Sequence, residues 1–129
     1  MRNNDSFIYN FKDNEWSKVI TNGNNAPCPR SGHSAVIYED KINNDDFMYI
    51  FGGKNSKNQK LNDLWKLSLQ SMTWTKLKVD SSITPRSGHS CDIYEDYILI
   101  YGGIYDVTRE LNDLHIFDLK REHWICLFT

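Results

Sequence analysis

The sequence predicts an all-β fold built from a repeated four-stranded unit. The hexapeptide Pro-Arg-Ser-Gly-His-Ser occurs twice, at residues 29–34 and 85–90. A double glycine, a Leu-Asn-Asp-Leu box and a tryptophan follow each copy in the same order. Short apolar or alternating runs separated by turn residues recur along the chain, and no run has convincing helical spacing. Self-similarity at a period of about 50 residues is typical of repeat architectures.

The second copy is six residues shorter than the first. The double glycines, the boxes and the tryptophans are 50 positions apart, whereas the hexapeptides are 56 apart. The difference therefore lies between the hexapeptide and the double glycine. We assign it to residues 41–46 of the first copy, opposite the short turn Glu95-Asp96 of the second. An insertion tolerated there predicts an exposed hairpin tip.

Each copy is predicted to contain four strands. The first follows the Pro-Arg-Ser-Gly turn signal, and the second is a continuous apolar run, as in a strand buried on both faces. The third is nearly alternating, and the fourth alternates cleanly, as in a more exposed strand. The predicted strands are 33–38, 47–51, 64–69 and 74–79 in the first copy, and 89–94, 97–101, 114–119 and 124–128 in the second.

The N-terminal residues resemble the second half of the same unit. Aligning Trp16 with Trp74 places Asn4-Asp5 on Asn62-Asp63. Residues 4–20 are therefore predicted to supply a third and a fourth strand. The domain organisation expected from the sequence is a half unit followed by two whole units, with bounds at 4–20, 29–79 and 85–128.

The recurring glycines and acids have predictable backbone roles. Gly52-Gly53 and Gly102-Gly103 allow a positive φ or a close approach of two backbones, which suits strands crowded around an axis. Asn62-Asp63 and Asn112-Asp113 each open a strand. Their short side chains are expected to accept hydrogen bonds from nearby backbone amides.

The recurring arginines and tryptophans are predicted to join neighbouring units. Arg30 and Arg86 each stand beside a proline at the start of an inner strand. A buried guanidinium needs partners, so we expect carbonyls or an acid of the neighbouring repeat to accept its hydrogen bonds. Trp16, Trp74 and Trp124 each begin an outer strand and are expected to present a ring to an adjacent sheet.

Two equivalent histidines, His33 and His89, are the candidates for a metal site near the axis. No ligand set with zinc or copper spacing accompanies them. We therefore interpret both as structural histidines bonded to backbone groups. The sequence predicts no metal, no cofactor and no enzymatic activity in this chain.

These motifs together are similar to the kelch repeat over essentially the whole chain. The resemblance is to the subclass with Pro-Arg-x-Gly-His-Ser, Gly-Gly, Leu-Asn-Asp-Leu and Trp boxes, as in Rab-effector, host-cell-factor and cell-polarity kelch proteins. It implies a partial kelch β-propeller: two complete four-stranded antiparallel blades around a channel, plus an N-terminal half blade. It also implies a non-catalytic module that presents loop surfaces to a partner protein or peptide.

The connections that follow the double glycines are the candidate partner-binding loops. Residues 54–60 and 104–110 differ between the copies at every position. Variable loops on a rigid scaffold commonly carry recognition, although unconstrained loops would vary equally. Tyr105 and Arg109 are the expected anchors because these residue types are enriched at hot spots. The full candidate set is Lys54, Lys57, Lys60, Tyr105, Asp106 and Arg109.

Composition limits the partners and the compartment. The formal net charge of −2 argues against a nucleic-acid or membrane-surface protein. The three cysteines lack Cys-x-x-Cys spacing and are typical of reduced thiols in a cytoplasmic protein, with the nucleus as the second option. No apolar run reaches the roughly 18 residues of a spanning helix.

Two and a half blades do not close a ring, because propellers have about 4–8 blades. The sequence therefore predicts either a segment of a larger propeller or self-association through the open flanks. A regulatory propeller attached to a catalytic domain such as a phosphatase, or to a ubiquitin-ligase adaptor, stays open as the alternative function. A small-molecule enzyme of the propeller type is the third.

Overall fold

The computed structural model describes residues 2–78 and 82–129 and, over that part of the chain, it is all β. Twelve strands are assigned there: β1 Phe7–Asn10, β2 Glu15–Lys18, β3 Arg30–Ser31, β4 Ser34–Asp40, β5 Asp45–Phe51, β6 Lys54–Asn55, β7 Leu64–Ser68, β8 Thr73–Lys76, β9 Ser90–Tyr94, β10 Tyr97–Asp106, β11 Arg109–Asp118 and β12 His123–Phe128.

These strands form two four-stranded antiparallel sheets and two small two-stranded sheets. The first sheet has the order β4-β5-β7-β8 and the second the order β9-β10-β11-β12, so each is a simple meander. Strands β1 and β2 pair only with each other, and β3 pairs with β6. The sheets do not close into a ring. The predicted fold, two complete blades and a half blade of a partial propeller, is confirmed.

The meander order separates two ends of each sheet. One end carries the turns 41–44, 69–72, 95–96 and 119–122. The other carries the connections that begin with the double glycines, together with the segments that join successive sheets. We call the second end the glycine end.

The main core lies between the two sheets. Tyr49 and Phe51 of the first sheet pack with Ile98, Phe117 and Trp124 of the second. The ring centroids of Phe51 and Trp124 are 5.2 Å apart, so Trp124 presents its ring to the adjacent sheet as predicted. This apolar contact is the main source of stability between the two sheets.

The opposite face of the first sheet carries a second cluster. Ile50, Trp65, Leu67 and Trp74 are buried there, and the two tryptophan rings meet edge to face at 6.5 Å. Trp16 differs from the other recurring tryptophans, because it is 70% exposed and its ring packs at a tilt against Tyr9 of its own hairpin, with the centroids 5.1 Å apart. The prediction of a ring against an adjacent sheet is therefore wrong for Trp16 within the described residues.

The insertion in the first copy lengthens a hairpin more than it lengthens a loop. Strands β4 and β5 gain two residue pairs, Glu39 with Asp46 and Asp40 with Asp45, and the turn itself covers only residues 41–44. Carboxylates directly opposite each other are unfavourable. Asp45 offsets this by accepting a 2.7 Å hydrogen bond from the hydroxyl of Ser68.

The predicted loop at 104–110 is also mostly strand. Strand β10 continues through the double glycine to Asp106, and β11 begins at Arg109, which leaves a turn of only Val107 and Thr108. Register shifts between Tyr101 and Gly103 accommodate the glycines without ending the strand. Strand β8 ends at Lys76, and the predicted strand end at Val79 lies outside the described residues, as do Asp80 and Ser81.

Candidate partner-binding surface

A buried arginine braces the glycine end of the second sheet. Arg86 is fully buried, and its guanidinium donates to both carboxylate oxygens of Asp113 at 2.6 and 2.8 Å. It also donates to the carbonyls of Gly102 at 2.9 Å and Thr84 at 3.0 Å. One side chain therefore joins the segment before the sheet to the connection between its second and third strands.

Arg30 makes the same set of bonds in the first copy. It reaches Asp63 at 2.7 and 2.8 Å, the carbonyl of Gly52 at 3.1 Å and that of Cys28 at 3.2 Å. Both arginines thus bond within their own repeat and the segment directly before it. The expected partner types, carbonyls and an acid, are present, but the prediction that a neighbouring repeat supplies them is wrong. The prediction that the aspartates bond backbone amides is corrected as well, because each accepts from an arginine side chain.

A third donor completes each aspartate site. In the first copy the indole N–H of Trp65 donates to Asp63 at 2.8 Å. His115 occupies the equivalent position in the second copy and lies 2.7 Å from the same oxygen of Asp113. The bonds from Arg86, with a smaller contribution from His115, lower the pKa of Asp113 to about 2. The carboxylate therefore stays ionised, and the brace stays intact, through the neutral and mildly acidic range.

The backbone at the glycine end also connects the two sheets. The amide of Gly53 donates to the carbonyl of Arg86 at 2.8 Å, and the amide of Arg86 donates to the carbonyl of Leu61 at 3.0 Å. Gly88 donates to the carbonyl of Gly32 at 2.9 Å. The platform beneath the candidate loops is thus fixed by hydrogen bonds within and between repeats.

The two predicted axial histidines have different surroundings. His89 is half-buried, and its Nε2 lies 2.7 Å from the hydroxyl of Ser34 in the preceding sheet, while its buried Nδ1 has no hydrogen-bond partner. His33 is exposed. The bond to a hydroxyl replaces the predicted backbone bond of His89. The described residues contain no cluster of three or more His, Cys, Asp or Glu suited to a metal ion.

We expect His89 to make the protein less stable as the pH falls from 6.5 to 4. Burial, then the charges of Arg86 and His33, lower the pKa of His89 to about 4. The unfolded chain takes up this proton near pH 6.5, so it binds up to one more proton than the folded chain in that window. The free energy of unfolding should then fall by up to about 1.4 kcal/mol per pH unit.

Denaturant unfolding at pH 7, 5.5 and 4.5 measures this slope. His89→Gln should flatten it, whereas His123→Gln, at an exposed position, should leave it as in the unmodified chain. Equal slopes in all three proteins would show that His89 is not the group responsible.

Tyr105 and Arg109 meet on the hairpin formed by β10 and β11. The guanidinium carbon of Arg109 lies 5.3 Å from the centre of the Tyr105 ring, within cation–π range. Asp106, paired in register with Arg109, accepts from the amide and hydroxyl of Thr108 at 2.9 and 3.0 Å and so fixes the turn. The structure therefore brings three of the six candidate residues together.

The three candidate lysines lie on the corresponding connection of the first sheet. Lys54 belongs to β6 and forms a β-bridge with Lys60, while Lys57 is exposed in the turn between them. Both connections project from the glycine end. The two groups of candidates thus occupy neighbouring sheets at one end of the molecule.

Sequence reasoning missed other residues of this surface. Arg2 donates hydrogen bonds to Ser31, Asn55 and Asn58, and no motif indicates that contact. Ile104 and Val107 are exposed on the second hairpin. A strand prediction across the double glycine would have found this apolar tip, since β-branched residues favour strands.

Comparison with known proteins points to one family. The model of the KLHDC2/KLHL20/DRC7 Kelch-repeats domain matches residues 1–128. Acyl-CoA-binding domain-containing protein 5 of Arabidopsis thaliana is 38% identical over 111 residues, which cover 84% of this chain and 16% of that protein. Host cell factor 2 of Homo sapiens is 38% identical over 89 residues, covering 68% of this chain and 11% of that protein.

A third relative is the Rho GTPase-activating protein gacHH of Dictyostelium discoideum. It is 36% identical over 101 residues, covering 76% of this chain and 6% of that protein. The chain therefore spans between 6% and 16% of the length of these three relatives. No helix long and apolar enough to cross a membrane is found among the described residues.

Proposed function

This chain belongs to the kelch-repeat family, and we propose from that premise that it is a non-catalytic interaction module whose glycine end binds a partner protein or peptide. The paired Tyr105 and Arg109 support this most directly. They stand exposed on a short hairpin whose base is fixed by the buried Arg86. Side chains already in contact with each other have less conformational entropy to lose on binding, and tyrosine and arginine are frequent hot-spot residues.

The remaining candidates extend the proposed surface. Lys54, Lys57 and Lys60 give the neighbouring connection three positive charges, which favours a partner with acidic groups there. The same proposal includes the domain bounds 4–20, 29–79 and 85–128. It also includes membership of the Pro-Arg-x-Gly-His-Ser subclass and a cytoplasmic or nuclear location. So does a partner that is neither nucleic acid nor membrane, in keeping with the net charge of −2.

We expect Tyr105→Ala combined with Arg109→Ala to weaken partner binding at least about 30-fold. The loss corresponds to about 2 kcal/mol, the threshold for hot-spot residues. Crosslinking in cell extract would identify candidate partners, and titration of a purified partner would measure the affinity. Ile42→Ala combined with Arg121→Ala is the control, because it removes an exposed hydrophobic side chain and an exposed arginine at the end opposite the glycine end.

Two results would contradict this placement. One is a double variant at 105 and 109 that binds with unchanged affinity. The other is an equal loss in the control variant. Unfolding curves of both variants should match that of the unmodified chain, since all four side chains are exposed.

A second candidate function is a regulatory kelch module within a larger protein that also carries a catalytic or adaptor domain. The small share of each relative that the chain covers favours this, as does the naming of one relative for an acyl-CoA-binding domain and another for GTPase activation. The sequence of the whole gene distinguishes the two candidates.

The outer faces of the described sheets favour further association. Phe7 and Trp16 on one flank, and Tyr94 and Tyr101 on the other, are exposed aromatic residues. The equivalent repeat positions between the two sheets, such as Trp124 for Trp16 and Phe51 for Tyr101, are buried against the neighbouring sheet. We propose that further kelch repeats cover these flanks, supplied by the same polypeptide or by a second copy, and light scattering over a concentration series separates these sources.

A further inference from the structure

The guanidinium of Arg2 lies among three acceptors at the glycine end. Its Nε donates to the hydroxyl of Ser31 at 2.7 Å, and one terminal nitrogen donates to the carbonyl of Asn55 at 2.8 Å. The other terminal nitrogen donates to the side-chain oxygen of Asn58 at 2.7 Å. All three nitrogens are thus engaged, in the planar fork geometry that suits arginine and that a lysine ammonium does not match.

Bonds that do not involve Arg2 hold these acceptors in place. Ser31 belongs to β3, which pairs in register with β6. The side-chain oxygen of Asn55 accepts from the amides of Lys57 at 2.9 Å and Gln59 at 3.0 Å. Asn58 adopts a φ of 60°, a conformation that asparagine tolerates, and its amide donates to the carbonyl of Asn55 at 3.0 Å. The acceptors are therefore pre-organised by their own turn.

The arginine itself comes from a segment with few such restraints. Residues 2–6 precede β1 and lie outside the assigned strands. Asn4 donates to the carbonyl of Pro27 only at 3.4 Å, near the limit of a hydrogen bond. From Asp5 onward the chain is held to the β1–β2 hairpin, because Lys18 pairs with Asp5 at 2.8 Å and the amide of Val19 donates to the carbonyl of Ser6 at 2.8 Å. Residues 2–4 are therefore the part of the segment that can move without breaking a bond to that hairpin.

This contact is not part of the repeated scaffold. The repeat alignment places Arg2, Lys60 and Glu110 at one equivalent position, so the residue type differs in every copy. Among the acceptors, the side-chain oxygen of Asn58 is specific to the first copy, because Thr108 stands at its position in the second, whereas Ser31 recurs as Ser87 and Asn55 accepts through its backbone carbonyl. A structural bond of the fold would recur in both copies, as the arginine–aspartate brace does.

We propose that Ser31, Asn55 and Asn58 form an arginine-binding subsite, which Arg2 fills within the chain and an arginine side chain of a partner segment fills when residues 2–4 move away. The subsite rests on the proposed function, since it specifies an arginine as one residue that the partner of the glycine end presents. The three acceptors are neutral, so the arrangement of their oxygens, and not their charge, favours a guanidinium over a lysine ammonium. The neighbouring Lys54, Lys57 and Lys60 favour acidic residues beside the partner's arginine.

Peptide titration of the Arg2→Ala chain tests the subsite. The probe is the amidated, acetylated pentapeptide Arg-Asn-Asn-Asp-Ser, and the controls carry alanine or lysine in place of its arginine. Amide chemical shifts of residues 54–59 report binding. We expect saturable shifts with the arginine peptide, and at least about tenfold weaker binding to the unmodified chain, because a tethered Arg2 competes at millimolar effective concentration.

A second variant checks the acceptor. Asn58→Gly in the Arg2→Ala background removes the side-chain oxygen but keeps the positive φ, because glycine adopts it without strain. It should weaken the arginine peptide about tenfold. The proposal is overturned if the arginine peptide binds no better than the alanine or lysine peptide, or if Arg2→Ala alone disorders residues 54–59.

The experiments distinguish failure of the arginine subsite from failure of the proposed interaction surface. Loss of partner affinity in the variant at 105 and 109, without any arginine-peptide binding, would remove the subsite and keep the interaction surface. Arginine-peptide binding with no effect of that variant on partner affinity would place recognition on the first sheet instead.

Discussion

Replacing Arg86 by methionine is expected to lower the free energy of unfolding by about 3–5 kcal/mol, enough to unfold much of the protein at moderate temperature. The substitution leaves the carboxylate of Asp113 buried without its main partner, and it frees the carbonyls of Gly102 and Thr84. Removing one member of a buried charged pair costs more than the pair itself contributes, because the remaining charge stays largely shielded from water.

Denaturant unfolding measures the loss of stability in Arg86→Met, and two further variants serve as its controls. Lys18→Met breaks an exposed ion pair with Asp5 and should cost less than about 1 kcal/mol. Arg86→Met combined with Asp113→Leu removes both charges and should be less destabilised than Arg86→Met alone. A single variant that loses no more stability than Lys18→Met would show that the brace does not stabilise the fold.

The strand pattern could be predicted because it depends on local signals. The repeated hexapeptide and the apolar run before Gly52 place the strands to within a few residues. The partner of each arginine could not be predicted in the same way. A buried guanidinium requires acceptors, but Arg86 and Asp113 are 27 positions apart, and only the path of the chain shows that they meet.

The sequence predicts which residues form the candidate surface better than it predicts their secondary structure. The sequence indicates that residues 104–110 vary, but a double glycine suggests a strand end, and only the bulged register shows that β10 continues to Asp106. The contact of Arg2 has no sequence signal at all. Its acceptors come from β3 and from a turn, and asparagine is too frequent in this chain for Asn55 and Asn58 to stand out.

Replacing Gly52 by alanine is expected to cost about 2–5 kcal/mol, whereas the same change at Gly88 should cost about 1–2 kcal/mol. Both glycines have a φ of +66°, so both variants strain the backbone equally. A Cβ at Gly88 would meet nothing within 4 Å, but one at Gly52 would lie 2.8 Å from the carbonyl oxygen of Arg86 and 3.1 Å from the ring of His89.

The two variants share the cost of a positive φ, so the difference between their losses of unfolding free energy measures the cost of the close approach between the two repeats. The carbonyl that a Cβ at Gly52 would displace is the acceptor for the amide of Gly53, so relief of the clash must lengthen a hydrogen bond between repeats. Denaturant unfolding of both variants gives the comparison. Equal losses would mean that the platform beneath the candidate surface adapts easily, and the first glycine of the pair would then be required for its backbone conformation alone.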